Sequence, residues 1–140
     1  MRGDGDRIRQ VLTNLLNNAI KFTAHGEVAV RVTLTSEDET GLLVRCDVSD
    51  TGVGISAGAL GKIFEPFVQA DGSTRRRFGG TGLGLSISRG LVRAMGGELG
   101  VESTLGKGAT FWFTIPLGRV PLVLTNEPSL PKCRVLVVED

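Results

Sequence analysis

Residues 4–23, DGDRIRQVLTNLLNNAIKFT, constrain the fold more than any other stretch of this chain. Ile8, Val11, Leu12, Leu15, Leu16, Ala19 and Ile20 recur at helical spacing, and Asp4 or Asp6 is placed to cap the start. A helix so apolar along one side must lay that side on a core, and 140 residues supply one complete core and little more. A second stripe climbs the same helix with the same period and opposite chemistry: Arg7, Gln10, Asn14, Asn18 and Lys21. Wet helix faces are usually built from Glu and Lys, because amide side chains add little helix stability. Two asparagines one turn apart, followed by a lysine, therefore read either as a polar ligand surface or as an ordinary solvated face. Spacing alone does not choose between them.

The period then changes. Residues 27–35 alternate, with Val28, Val30, Val32 and Leu34 on one face, and after a polar turn at 36–41 a second strand returns over 42–49, the pattern of an antiparallel hairpin. "DTGVGI", residues 50–55, leaves the sheet through two glycines, and a short helical piece is expected near 59–64. Residues 68–80 are polar and rich in arginine and glycine, with Arg75, Arg76 and Arg77 in a row, which marks a candidate lid. A second amphipathic helix is expected over 82–95, with Leu83, Ile87, Leu91, Val92 and Met95 inward and Gly96-Gly97 ending it. Strands at 98–103 and 109–115 follow, the last stopped by Pro116. Residues 118–131 contain three prolines and read as a linker, and "KCRVLVVED" at 132–140 is a lone strand, the expected beginning of a second domain.

Charge and cysteine content exclude several classes. A formal net charge of +1 does not make the broad basic footprint that nucleic acid requires. Cys46 and Cys133 lie far apart in strand-like runs without metal-ligand spacing, the pattern of buried, reduced thiols in a reducing compartment. No apolar run approaches a membrane span, and the first residues are charged rather than signal-like.

The glycines carry the chemistry. In "GGTGLGLSI", residues 79–87, four of the first six residues are glycine, directly before a helix. Glycine there costs backbone entropy and packs nothing, so something is expected to approach the main chain closely. "GKGAT" at 106–110 has neither the spacing nor the hydroxyl of a P-loop. "GVGISA" at 52–57 has the letters of a dinucleotide fingerprint but leads into a brief helical turn rather than a strand–helix–strand unit. Asp50, just before its first glycine, would oppose a pyrophosphate; a carboxylate there suits a hydrogen bond from a donor such as the exocyclic amine of adenine.

Taken in order, "DRIRQVLTNLLNNAIKFT", "DTGVGI", "IFEPF" and "GGTGLGLSI" resemble the N box, first glycine box, F box and second glycine box of the ATP-binding domain of sensor histidine kinases. That domain belongs to the ATPase superfamily shared with DNA gyrase, MutL repair proteins and heat-shock chaperones. The resemblance covers residues 4–117 and implies a two-layer α/β sandwich, a mixed, mostly antiparallel sheet with helices on one face. It implies that ATP and Mg²⁺ are the ligands.

Carried over by position, Asn18 resembles the Mg²⁺ ligand, Asn14 lies one turn earlier on the same face, and Lys21 is placed to reach phosphate. These three form the implied catalytic set. Phe22 would pack on adenine or serve simply as core, and Asp50 resembles the adenine-reading carboxylate, with Gly52, Gly54 and Ile55 at the base. Gly80, Gly82 and Gly84, with Leu83 and Leu85 between and after them, would bring helix-start amides to the triphosphate. Thr81 is either a hydroxyl contact or a helix cap, and Thr110 either an adenine contact or an ordinary strand residue. Phe64 and Phe67 are expected to anchor the lid by burial, with Phe67 against the nucleotide, and one of the three lid arginines to meet the γ-phosphate.

Hydrolysing relatives place a glutamate where Asn14 stands, so little hydrolysis is implied; the γ-phosphoryl would pass to a histidine on a separate dimerisation domain expected upstream. His25, the single histidine, lacks that domain's surroundings and reads as surface. "VLVVED" is similar to the first strand of a response-regulator receiver domain, which implies a hybrid kinase. The expected division is thus 1–117 ATP-binding domain, 118–131 linker and 132–140 receiver strand, facing the cytoplasm within a parent that is free or membrane-anchored, with the receiver in cis or a separate response regulator as partner.

Overall fold

The computed structural model describes residues 3–67 and 82–118. The expected lid with its arginines, Gly80, Thr81, the linker beyond Gly118, the closing strand and Cys133 lie outside the described residues.

The first helix, α1, spans Gly5–Phe22. Asp4 caps it, its Oδ1 accepting the Arg7 amide at 3.1 Å, while Oδ2 pairs with Arg7 Nε at 2.9 Å. Two strands follow, β1 (Val28–Glu37) and β2 (Gly41–Asp50), joined by a turn in which Asp38 Oδ1 accepts from the Thr40 and Gly41 amides. A single helical turn, α2 (Ala57–Leu60), precedes the next long helix, α3 (Gly84–Ala94), and then come β3 (Glu98–Ser103) and β4 (Ala109–Gly118).

The strands form one sheet in the order β1-β2-β4-β3, and every pairing among the described residues is antiparallel. Alternation along β4 sends Ala109, Phe111, Phe113 and Ile115 to the face that α1 and α3 cover, where Cys46 and Val48 of β2 and Leu99 of β3 join them. Val11, Leu15 and Ala19 of α1 and Val92 of α3 complete that layer. The opposite face is polar, with Arg45 held by Asp47 at 2.8 Å and lying 4.6 Å over the Trp112 ring. This is a two-layer α/β sandwich with the helices on one side.

Four expectations change. Val30, Val32 and Leu34 stand opposite Val48, Cys46 and Val44, on the helix side, yet remain exposed, because α1 packs mainly on β2 and α3 on β3 and β4, leaving the edge strand β1 little covered. Ile20 is exposed as well: the stripe that enters the core steps by four residues, 11, 15 and 19, and Ile20 is turned about 100° past it. Ile87 is likewise exposed, and Ser88 takes the buried position in its place. Pro116 does not stop β4, which runs on to Gly118; past Thr114 β4 has a neighbour on one side only, where a strand tolerates proline.

Cys46 is buried as its strand context implied, and burial pushes its thiol pKa up. His25 is exposed in the bend after α1. No described helix is long and apolar enough to cross a membrane.

Phe113 is the largest fully buried side chain among the described residues, at the centre of this layer. Phe113→Ala is expected to cost about 3–5 kcal/mol of folding stability, read as a lowered urea midpoint with the slope of the transition unchanged.

Candidate functional site

The polar stripe of α1 divides in two. Arg7 and Gln10 are exposed, whereas Asn14, Asn18, Lys21 and Phe22 are all half-buried, which is not how an ordinary wet face is built. Asn14 is the best defined of them. Its Nδ2 donates to Ser88 Oγ of α3 at 2.9 Å, and its Oδ1 lies against Gly84, where a Cβ would come within 2.4 Å of that oxygen. A side chain at 84 would have to displace the Asn14 amide.

The same place is the N-terminus of α3. Its cap position is Leu83, which offers no side-chain hydrogen bond to the first amides, while Ser86 Oγ donates back to the Leu83 carbonyl at 2.9 Å. The first amides of α3, which have no side-chain cap among the described residues, and the positive end of the helix dipole sit beside Asn14, an arrangement suited to an anion. Gly82, just before, has φ +69, and its carbonyl accepts from the Phe67 amide at 3.2 Å.

The other end of the site is the loop that leaves β2. Asp50 Oδ1 accepts the Gly52 amide at 2.9 Å, fixing the carboxylate at the end of the strand, with Ala109 paired opposite. The loop is stitched to its neighbours: Val53 N–H donates to Phe22 O at 3.3 Å, Gly106 N–H to Val53 O at 2.8 Å, and Ile55 N–H to Ser103 Oγ at 2.8 Å. A Cβ at Gly52 would meet Phe22 O at 2.2 Å, and Gly54, at φ +67, would meet Thr104 O at 2.2 Å. Both glycines are required by the protein's own backbone, whatever binds there. Beside Gly52, the Thr23 hydroxyl is buried with no hydrogen-bond partner among the described residues.

Helix α1 joins the two ends. Eight residues separate Asn14 from Phe22, about 12 Å of helix, with Asn18 midway and Lys21 Nζ 5.1 Å over the Phe22 ring. Ile55 and Leu85 are partly buried against the core. Among the described residues no three His, Cys, Asp or Glu side chains gather to hold a metal. A hard cation would instead take an amide oxygen and complete its shell from a ligand's phosphates and water.

One predicted site residue stands elsewhere, and another is less buried than expected. Thr110 is on the opposite face of the sheet from Asp50, because strand parity sends Ala109 inward; its Oγ1 lies 3.0 Å from Ser49 Oγ. Phe67 is 76% exposed rather than buried, with φ +63, while Phe64 packs against the core with the Arg89 guanidinium 5.4 Å over its ring. Sequence reasoning missed Ser88, Ser103 and Ala109. For Ser88 the signal was a polar residue one turn after Gly84 on the inward side of α3.

The model of the family "Histidine kinase-, DNA gyrase B-, and HSP90-like ATPase" matches residues 3–119. The chain is 48% identical to sensor histidine kinase AruS of Pseudomonas aeruginosa in an alignment that covers 99% of this chain and 14% of that protein. It is 49% identical to hybrid signal transduction histidine kinase B of Dictyostelium discoideum, over 84% of this chain and 6% of that one. Among solved structures, full-length ShkA in complex with AMPPNP superposes with a TM-score of 0.67 at 44% identity, over 81% of this chain and 22% of that one. The chain thus spans a small part of each of these proteins.

Because Gly54 meets backbone on the protein's own account, Gly54→Ala is expected to lower folding stability by about 2 kcal/mol or more with no ligand present. Gly58→Ala, in α2 with open space around it, serves as the control and should leave the urea midpoint unchanged or slightly raised.

Proposed function

Because the chain belongs to the histidine kinase-, DNA gyrase B- and HSP90-like ATPase family, we propose that residues 1–117 form the ATP-binding catalytic domain of a hybrid sensor histidine kinase. One observation carries the reading: a half-buried amide stripe on α1 meets the uncapped start of α3 at one end and a fixed carboxylate loop at the other.

In this reading the adenine lies at the Asp50 end. Asp50 accepts from the exocyclic amine, Phe22 and Ile55 supply apolar contact, and the orphaned Thr23 hydroxyl gains a partner, directly or through water. The phosphates run along α1 toward Asn14 and the first amides of α3, with Gly80, Thr81, Gly82, Leu83 and Gly84 around them and Lys21 contributing positive charge. Asn18 would hold Mg²⁺ through its amide oxygen. Bound there, the ion would supply charge neutralisation on the β- and γ-phosphates.

What these residues contribute is placement: they orient the γ-phosphoryl group toward a nucleophile that another element brings. Asn14 is a neutral amide engaged with Ser88, so it offers no base to activate water, and steady hydrolysis by this chain is expected to be slow. The acceptor is a histidine on a dimerisation domain of the parent protein, and His25, exposed beyond the end of α1, has no part in it. Residues 118–131 serve as a linker and 132–140 begin a receiver domain whose aspartate is next in the relay, or a separate response regulator takes that place. The domain works on the cytoplasmic side, without nucleic acid and without touching a membrane itself.

Asp50→Asn keeps an oxygen for the Gly52 amide but turns the other position from acceptor to donor. ATP affinity of this chain should fall roughly 10- to 100-fold, as expected for a hydrogen bond to a charged group, with weak GTP binding unchanged; titration calorimetry showing equal losses for both would reject the base-reading role. Asn18→Asp should shift the magnesium dependence of ATP binding, and identical magnesium titrations of the two proteins would remove Asn18 from the metal site.

A further inference from the structure

We infer that Ser88 is a positioning residue for the triphosphate end of the site, acting through Asn14; the inference rests on the reading that α1 and α3 hold the phosphates between them. Ser88 is the one buried polar residue identified among the described residues, 2% exposed on the inward face of α3. A polar side chain there needs a reason, because an apolar residue would fill the same core position without the cost of burying a hydroxyl. Its partner is Asn14 Nδ2, 2.9 Å away and 74 residues distant in sequence.

The bond tethers the Asn14 amide to the facing helix. With Nδ2 committed to Ser88, Oδ1 is the atom set against Gly84 at the start of α3. Without the serine oxygen, the amide loses the anchor that holds it across the helix pair. Asn14 would then be free to turn over or swing toward the cleft, and the approach of α1 to the α3 amides would loosen. The base end, about 12 Å away along α1, is stitched by Val53, Ile55 and Gly106 and does not depend on this bond.

The test measures this chain's affinity for magnesium-AMPPNP and for ADP in four proteins: unsubstituted, Ser88→Ala, Asn14→Ala and the double variant. Ser88→Ala should weaken magnesium-AMPPNP roughly three- to tenfold, the effect of one neutral hydrogen bond, and change ADP by less than about twofold. In the Asn14→Ala background the serine substitution should add nothing, since its effect runs through the missing amide. Thermal unfolding of each variant verifies that the fold is intact. Equal losses for the two nucleotides, or Asn14 and Ser88 effects that sum in full, would overturn the positioning role. So would a triphosphate affinity that Ser88→Ala leaves untouched. If the unsubstituted chain binds neither nucleotide, the ATP-binding reading itself fails, an outcome separable from all of these.

Discussion

Burial of Val11, Leu15 and Ala19 under the sheet fixes the rotation of α1 about its own axis, and the rest of the site follows from that rotation. With this stripe pressed against the layer of Val48, Phe111 and Phe113, Asn14 comes out at the seam between α1 and α3, and Asn18 lies one turn further along the same side of α1. The hydrophobic effect, which is non-directional, thereby produces a directional result. A helix whose apolar and polar stripes share one period converts core packing into placement of polar groups.

Glycine at 84 and serine at 88 extend the same logic to the facing helix. They lie one turn apart on α3, one leaving room for the Asn14 oxygen and the other binding its nitrogen. Large residues at either position would push the helices apart where the α3 amides are uncapped. Close approach of the helices and exposure of the helix start are thus a single arrangement. An anion arriving there meets the dipole of α3 undiluted by a side-chain cap.

Much of this was legible. The two helices, the hairpin and the two closing strands were visible as changes of period, since a helix and a half-buried strand impose different repeats on apolar residues. The misreadings share one cause, that position within the tertiary structure is not written locally. Val30, Val32 and Leu34 alternate as a buried face does, but whether helices reach over them depends on β1 being the edge of the sheet. Pro116 looked like a stop because a central strand would reject it, and only the shortness of β3 makes its place in β4 tolerable. Thr110 had two open readings, and counting back by twos from Phe113 and Phe111 puts Ala109 inward, so parity already favoured the ordinary strand residue.

The glycines of the loop after β2 bear on how the site binds as well as what it binds. A ligand that has to order a flexible loop gives up part of its interaction energy in doing so. Here the chain has closed that loop beforehand: Gly52 and Gly54 are in contact with carbonyls of α1 and of the β3–β4 turn, and hydrogen bonds from Val53, Ile55 and Gly106 hold the path. The Asp50 carboxylate, tied to the Gly52 amide, is therefore set before any base arrives. Recognition at that end is rigid by construction, and residues usually read as making room for a ligand serve first to make the protein fit itself. The phosphate end is built otherwise, on a hydrogen bond and a helix start rather than a stitched loop, so differences between ligands of unequal phosphate length have to be resolved there.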